Sequence, residues 1–354
     1  VGGGSSSLKA QNECTPIVGL REAIGDKAQI TYQRGYVGDL LRKYNGVDTG
    51  IDLTDPRSKE QLIADAVAAA KEADLVLFFG GLNKAGRQDA EGRDRASMAL
   101  PYAQNKVIEV LTEVNKNVVV LIISGNAVEM PWVDKVDGIV ETWYLGSQAG
   151  HAIADVLLGK VNPSGKLAES IPYSLDKTSL KDMGEFPGRA LTEEESSKMN
   201  ARLTETYKDG IFVGYRYYDK FNVPVQFSFG HGLSYTDFSY SNVSAEWEEK
   251  EDGTRCLIVS ADISNVGDYD GKEIVQIYLG EKEVKEENAI KELKGFEKVF
   301  LKKGEKKRVN IAINEDAFSH YNTEKMSWEK KHGSYKVYIA ASSQDVREVL
   351  EVEY

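Results

Sequence analysis

Six consecutive residues, Val118-Val119-Val120-Leu121-Ile122-Ile123, carry no polar side chain. A run like this has no face to offer water. At six residues it reads as a strand buried on both sides of a sheet, the signature of parallel sheets covered by helices. Leu75 to Phe79 and Gly138 to Thr142 are shorter candidates of the same kind. Helix-period segments lie between them. Ser58 suits the N-cap of a helix reaching Ala73, with Leu62, Ile63, Ala66, Val67 and Ala70 on one face. Tyr102 to Val114 turns Val107, Ile108, Val110 and Leu111 inward, and Pro101 suits its first turn. Gln148 to Leu158 is a helix stopped at Gly159, and Pro16 to Ile24 is a short one. Ala28 to Gln33 reads as a further strand closed by Gly35. Strands alternating with helices specify an α/β domain with a mostly parallel, covered sheet, placed here over residues 1–170.

In open sheets of this class, ligands bind beyond the carboxyl ends of the strands. The loops 81–99, 124–130 and 143–150 follow three strands and are expected to share one rim. Gly80-Gly81 is expected to break its strand. Gly125 and Gly146 mark further sharp turns or close backbone approaches. The first loop contains Arg87-Gln88-Asp89-Ala90-Glu91-Gly92-Arg93-Asp94-Arg95, in which six of nine residues are charged. Solvated charge is the simplest account of that loop; its place at a strand end is what makes it a candidate site. A dinucleotide site would need Gly-x-Gly-x-x-Gly between strand and helix, and Gly2-Gly3-Gly4 lacks that spacing.

The 354 residues suffice for two domains, and the formal net charge of -12 argues against nucleic-acid or anionic-membrane partners. No apolar run is long enough to span a bilayer. Cys14 and Cys256 fall in different predicted domains and form neither a disulfide framework nor a zinc spacing. The four histidines add no metal motif, so neither metal nor cofactor is expected. Val1 is followed by three glycines and three serines, which reads as a linker, a tag remnant or a loop from within a longer chain.

Residues 171–235 read as an irregular connector. It contains a polar stretch, Asp176 to Lys208, and then the rings Phe212, Tyr215, Tyr217, Tyr218, Phe221, Phe227, Phe229 and Tyr235. These either pack between two domains or form a wall for stacking sugars; packing is the simpler reading. Over residues 236–354 the period changes to two. Cys256 to Ile263, Ile274 to Tyr278, Lys294 to Phe300, Arg308 to Ile313 and Tyr335 to Ala340 are strands punctuated by glycines, as in an antiparallel sandwich.

With these segments in place, the whole chain resembles the C-terminal half of glycoside hydrolase family 3, in particular its three-domain β-glucosidases. The resemblance is carried by Glu91-Gly92-Arg93-Asp94-Arg95 with Leu100-Pro101, by Asn117 to Ser124 with Pro131-Trp132, and by Trp143-Tyr144-Leu145-Gly146. It continues through Ala154-Asp155-Val156-Leu157-Leu158-Gly159, Asn162-Pro163-Ser164-Gly165-Lys166-Leu167, Gly210 to Tyr218 and Phe229-Gly230-His231-Gly232-Leu233-Ser234-Tyr235. Val266-Gly267 and Leu293-Lys294-Gly295-Phe296 resemble the family's fibronectin-type-III module.

The resemblance implies an α/β sandwich followed by a fibronectin-III-like domain. It implies Glu91 as the acid/base residue of a retaining exo-acting β-glycosidase acting on terminal β-D-glucosyl residues, with β-xylosides the nearest alternative substrate. The aspartate nucleophile of the family sits on an N-terminal barrel that this chain does not encode, so a barrel domain or chain is an implied partner. The first strand of the sandwich normally precedes the glycine–serine loop, so the chain is expected to start within a domain and to persist bound to a separate N-terminal chain. Asn83 and Arg87 are candidates to reach sugar or barrel, and Trp143 and Tyr144 to wall the leaving-group side. Arg93 and Arg95 are expected to turn away from Glu91, because facing it they would favour its ionised form. A carbohydrate-binding or scaffold module without turnover is the alternative function.

Overall fold

The computed structural model describes residues 10–38, 43–44, 47–48, 54–85, 88–91, 94–183, 186, 189–190, 203–251 and 253–354. The chain divides into two compact units, residues 1–160 with 173–175, and residues 161–172 with 176–354.

The first unit contains α1 (Pro16–Ile24), a small antiparallel pair β1 (Lys43–Tyr44) and β2 (Val47–Asp48), α2 (Lys59–Lys71), β3 (Val76–Gly81), α3 (Gln104–Val114), β4 (Val118–Ile123), β5 (Gly138–Glu141) and α4 (Ala149–Leu157). The strands β3, β4 and β5 form a parallel sheet in that order. Val118, Val120, Leu121 and Ile122 of the central strand are fully buried, as a strand without polar side chains requires. Helices supply the cover. Leu62, Ala66 and Ala70 of α2 and Val107, Ile108 and Leu111 of α3 are buried. Ser58 caps α2 by accepting from the Gln61 amide at 3.2 Å.

Three local expectations are corrected. Ala28–Gln33 is not a strand: most of it is exposed, and no ladder among the described residues pairs with it. Gly80 and Gly81 do not break β3 but form its last two rungs, opposite Ile122 and Ile123. Gly81 has φ 129°, a conformation that favours glycine, and a Cβ there would stand 2.0 Å from the Ile123 carbonyl oxygen. Pro101 does not open α3, because Tyr102 and Ala103 take left-handed conformations and the helix starts at Gln104.

The second unit begins with irregular chain holding β6 (Ile171–Pro172), α5 (Ser179–Asp182), β7 (Arg189–Ala190), β8 (Leu203–Thr204), α6 (Tyr215–Lys220) and β9 (Val225–Phe227). An antiparallel sandwich follows: β10 (Phe238–Glu249), β11 (Arg255–Asn265), β12 (Gly271–Glu281), β13 (Glu292–Leu301), β14 (Lys306–Asn314), a hairpin of β15 (Ser319–Asn322) and β16 (Ser327–Lys330), β17 (Ser334–Ala340) and β18 (Val346–Glu353). The layers are β10-β11-β14 and β13-β12-β17-β18. Alternate residues of both, among them Leu257, Val259, Ile277, Ile311, Val337 and Ile339, make the core. The aromatic cluster packs within this unit: Tyr215 stacks on Phe229 at 4.8 Å and meets Tyr278 of β12 edge-on at 5.8 Å.

Candidate active site

Three loops leave the carboxyl ends of β3, β4 and β5, and one carboxylate ties them together. Asp89, in the loop after β3, accepts from the Gly125 amide at 2.6 Å and from the side-chain amide of Asn126, both after β4. Its Oδ2 also accepts from the Tyr144 hydroxyl, after β5. The Arg95 guanidinium adds a second tie, donating to the Asn126 side chain and, at 2.6 Å, to the Ala127 carbonyl. A third comes from the backbone, where the Glu129 amide donates to Met98 O at 2.9 Å. The expected convergence of these loops on one rim is therefore present.

The floor of this rim is fixed by α3. Gln104 at its first residue is buried, and its side-chain amide grips Gly81 twice, accepting from the Gly81 amide and donating to its carbonyl, both at 2.8 Å. Asn83 is consumed inside its own loop: Nδ2 donates to Tyr102 Oη at 3.1 Å and Oδ1 accepts from the Ala85 amide at 2.8 Å. Its backbone amide donates to Gln88 Oε1 at 3.0 Å. These contacts hold Asn83 within its own loop.

Glu91 stands exposed in a turn two residues beyond Asp89. Arg87 and Arg93 lie outside the described residues. Arg95 turns to the 124–127 loop. Trp143 and Tyr144 follow β5. Trp143 has φ 49°, a left-handed conformation that a bulky side chain adopts only where its surroundings impose it. Its amide donates to Glu141 Oε1 at 3.0 Å. The Tyr144 phenol is held protonated well above its ordinary pKa, first by burial and then by its hydrogen bond to Asp89. It is therefore a permanent donor to that carboxylate. Asp89, Gly125 and Asn126 were not singled out as site residues from the sequence. The signals available were a carboxylate in a strand-end loop and the Ser124-Gly125-Asn126 turn, but nothing local says that they meet.

An α/β unit with a polar rim at its strand ends, joined in sequence to an antiparallel sandwich, defines the class. The chain belongs to glycosyl hydrolase family 3: residues 1–235 match the model of the family's C-terminal domain, and residues 273–343 match a fibronectin type III-like domain. It is 42% identical to a β-glucosidase of Bacteroides ovatus over 100% of this chain and 45% of that protein. It is 41% identical to thermostable β-glucosidase B of Acetivibrio thermocellus, over 92% of this chain and 39% of the other. An exo-α-(1→6)-L-arabinopyranosidase of Bifidobacterium breve is 38% identical over 90% of this chain and 39% of that protein. Among solved structures, the family 3 β-glucosidase of Bifidobacterium adolescentis superposes with a TM-score of 0.83 at 32% identity, covering 100% of this chain and 47% of that one. The chain thus spans less than half the length of these relatives.

Proposed function

We propose that this chain supplies the acid/base half of a retaining, exo-acting β-glycosidase, with terminal non-reducing β-D-glucosides as its substrate class. The observation that carries the reading is the position of Glu91. It is exposed on a turn of the strand-end rim, in the segment that resembles the family's acid/base motif, next to the carboxylate that holds three loops in register. The glucoside assignment follows the β-glucosidases among the relatives, which at 42% and 41% identity stand above the arabinopyranosidase at 38%.

Retaining hydrolysis uses two carboxyl groups about 5–5.5 Å apart. One attacks the anomeric carbon. The other gives its proton to the departing glycosidic oxygen and then takes a proton from the water that attacks the glycosyl–enzyme intermediate. Glu91 fills the second role. The nucleophile belongs to a barrel outside this chain. A negative nucleophile beside Glu91 would keep its carboxyl protonated for the first step.

The test uses the enzyme assembled with its barrel. Protonation matters most for a leaving group that is a poor acid. Glu91→Gln should lower kcat/KM on an alkyl β-glucoside by about 10²–10⁴-fold, the usual range for general acid–base catalysis, and much less on an activated aryl β-glucoside. Equal losses on both would remove Glu91 from the role. Tight sugar binding with no turnover in the assembled wild-type protein would instead favour the silent carbohydrate-binding module.

A further inference from the structure

Cys14, Glu22 and His151 are scattered in the sequence, yet Cys14 Sγ, a carboxylate oxygen of Glu22 and a ring nitrogen of His151 lie within 4.8 Å of one another. We infer that they form a divalent transition-metal site where the loop after β5 enters α4, and that its donors suit Zn²⁺. Thiolate, imidazole and carboxylate are a zinc-type set, whereas Mg²⁺ and Ca²⁺ take oxygen alone.

The hydrogen bonding of His151 points the same way. Its Nδ1 lies 2.7 Å from Gln148 Oε1, an atom that only accepts, so Nδ1 carries a hydrogen. Its Nε2 lies 2.7 Å from Glu22 Oε2. That separation is a hydrogen bond, with a proton between imidazole and carboxylate, and a divalent ion would take the proton's place. The neighbouring Cys14 thiol donates to the Thr15 carbonyl at 3.8 Å, a long contact that a metal ion would replace. A metal ion uses all three donors, and Gln148 then plays the part of the outer partner that orients a metal-bound histidine.

The scaffold is stiff where it needs to be. The Cys14 amide donates to Ser147 O at 2.8 Å, and its carbonyl accepts from the Gly150 amide at 2.9 Å. Here α1 and α4 cross at glycines, and a Cβ on Gly19 would stand 2.2 Å from the Gly150 carbonyl carbon. The main chain bearing Cys14 is thus locked to the first turn of α4, where His151 follows. The Glu22 and His151 side chains are 60% and 49% exposed, so an ion reaches them from solvent. Metal–ligand bonds of about 2.0–2.3 Å impose donor spacings of roughly 3.3–3.7 Å, so the His151–Glu22 pair at 2.7 Å would open slightly while the thiol draws in. Three protein donors leave a fourth position for water. Binding releases the Cys14 thiol proton, and any proton shared by His151 and Glu22, to solvent.

Co²⁺, whose thiolate complexes absorb in the near ultraviolet, is the probe. The full chain should bind one Co²⁺ with a thiolate-to-metal charge-transfer band that Zn²⁺ displaces. Cys14→Ser should abolish the band, and Cys256→Ser, in the other unit, should leave it intact. Glu22→Gln and His151→Asn, at exposed positions where folding is retained, should weaken binding at least tenfold, and Gln148→Ala by about 10–100-fold. A folded protein with no band, a band that survives Cys14→Ser, or affinity unchanged by Glu22→Gln would mean an adventitious ion only and would overturn the assignment.

Discussion

In the first unit, polar side chains gather at one end of a sheet whose middle strand has none; in the second, they are buried as closed pairs. Asp89 takes donors from two other loops while remaining only half-buried. Asp219, by contrast, meets Lys291 at 2.5 Å with side chains 7% and 8% exposed. Lys166 meets Glu273 at 3.1 Å, and Gln276 spans the carbonyls of Gly230 and Ala341. Burial pushes the Asp219 carboxyl up from its ordinary pKa even with the lysine beside it. Such a pair spends its polarity internally and leaves nothing for a ligand. A carboxylate that joins loops at a sheet edge instead fixes the geometry of residues around it. Number and location of polar contacts, rather than polarity itself, separate a support from a site.

That contrast can be broken at several points. The largest effect expected on stability is in the sandwich. Ile339 is fully buried between the layers, and Ile339→Ala should destabilise the second unit by about 2–5 kcal/mol, read by denaturant unfolding. A loss below 1 kcal/mol would mean that the sandwich is not the rigid member of the pair. Next comes Asp89→Ala, which strands three donors. It should destabilise the first unit by about 1–3 kcal/mol and lower turnover in the assembled enzyme, whereas Asp89→Asn should restore part of both. Retention of full activity by Asp89→Ala would show that the three loops hold their register without it. Ser58→Ala, which touches none of the Asp89 ties, should cost about 1 kcal/mol through the lost cap of α2, with turnover unchanged.

The smallest effect is a pH slope in the second unit. Burial, and then Lys166, lower the pKa of His231. The unfolded chain therefore binds its proton more readily than the folded one. The contribution is fully present above about pH 6.5 and is lost as the pH falls through the lower folded value. Unfolding midpoints measured across that window should fall with acidification in the wild type and flatten in His231→Gln. An unchanged slope would assign the acid sensitivity to other groups.

The sheet was legible where the chemistry was local. Val118 to Ile123 is a strand because six apolar side chains admit little else, and its bounds agree with the structure. Alternation made five sandwich strands readable, but β10 and β18 carry charged residues on exposed faces and were not picked out. Ala28–Gln33 has strand-like residues without a ladder partner among the described residues, and a strand exists only as part of a ladder. The gathering of loops at the rim could be expected from fold rules, whereas the agent could not: the partners of Asp89 lie 36, 37 and 55 residues away. Asn83 shows the converse, a polar residue whose partners are supplied by its own loop.

Gln104 holds Gly81 by both backbone atoms, and the two residues are the opposite feet of one excursion of chain, residues 82–103. An excursion clasped at its base can change in length or composition while the strands beneath keep their spacing, since the entropy of closing it rises only slowly with length. Swapping that segment between relatives is thus a way to vary the rim without rebuilding the sheet beneath it.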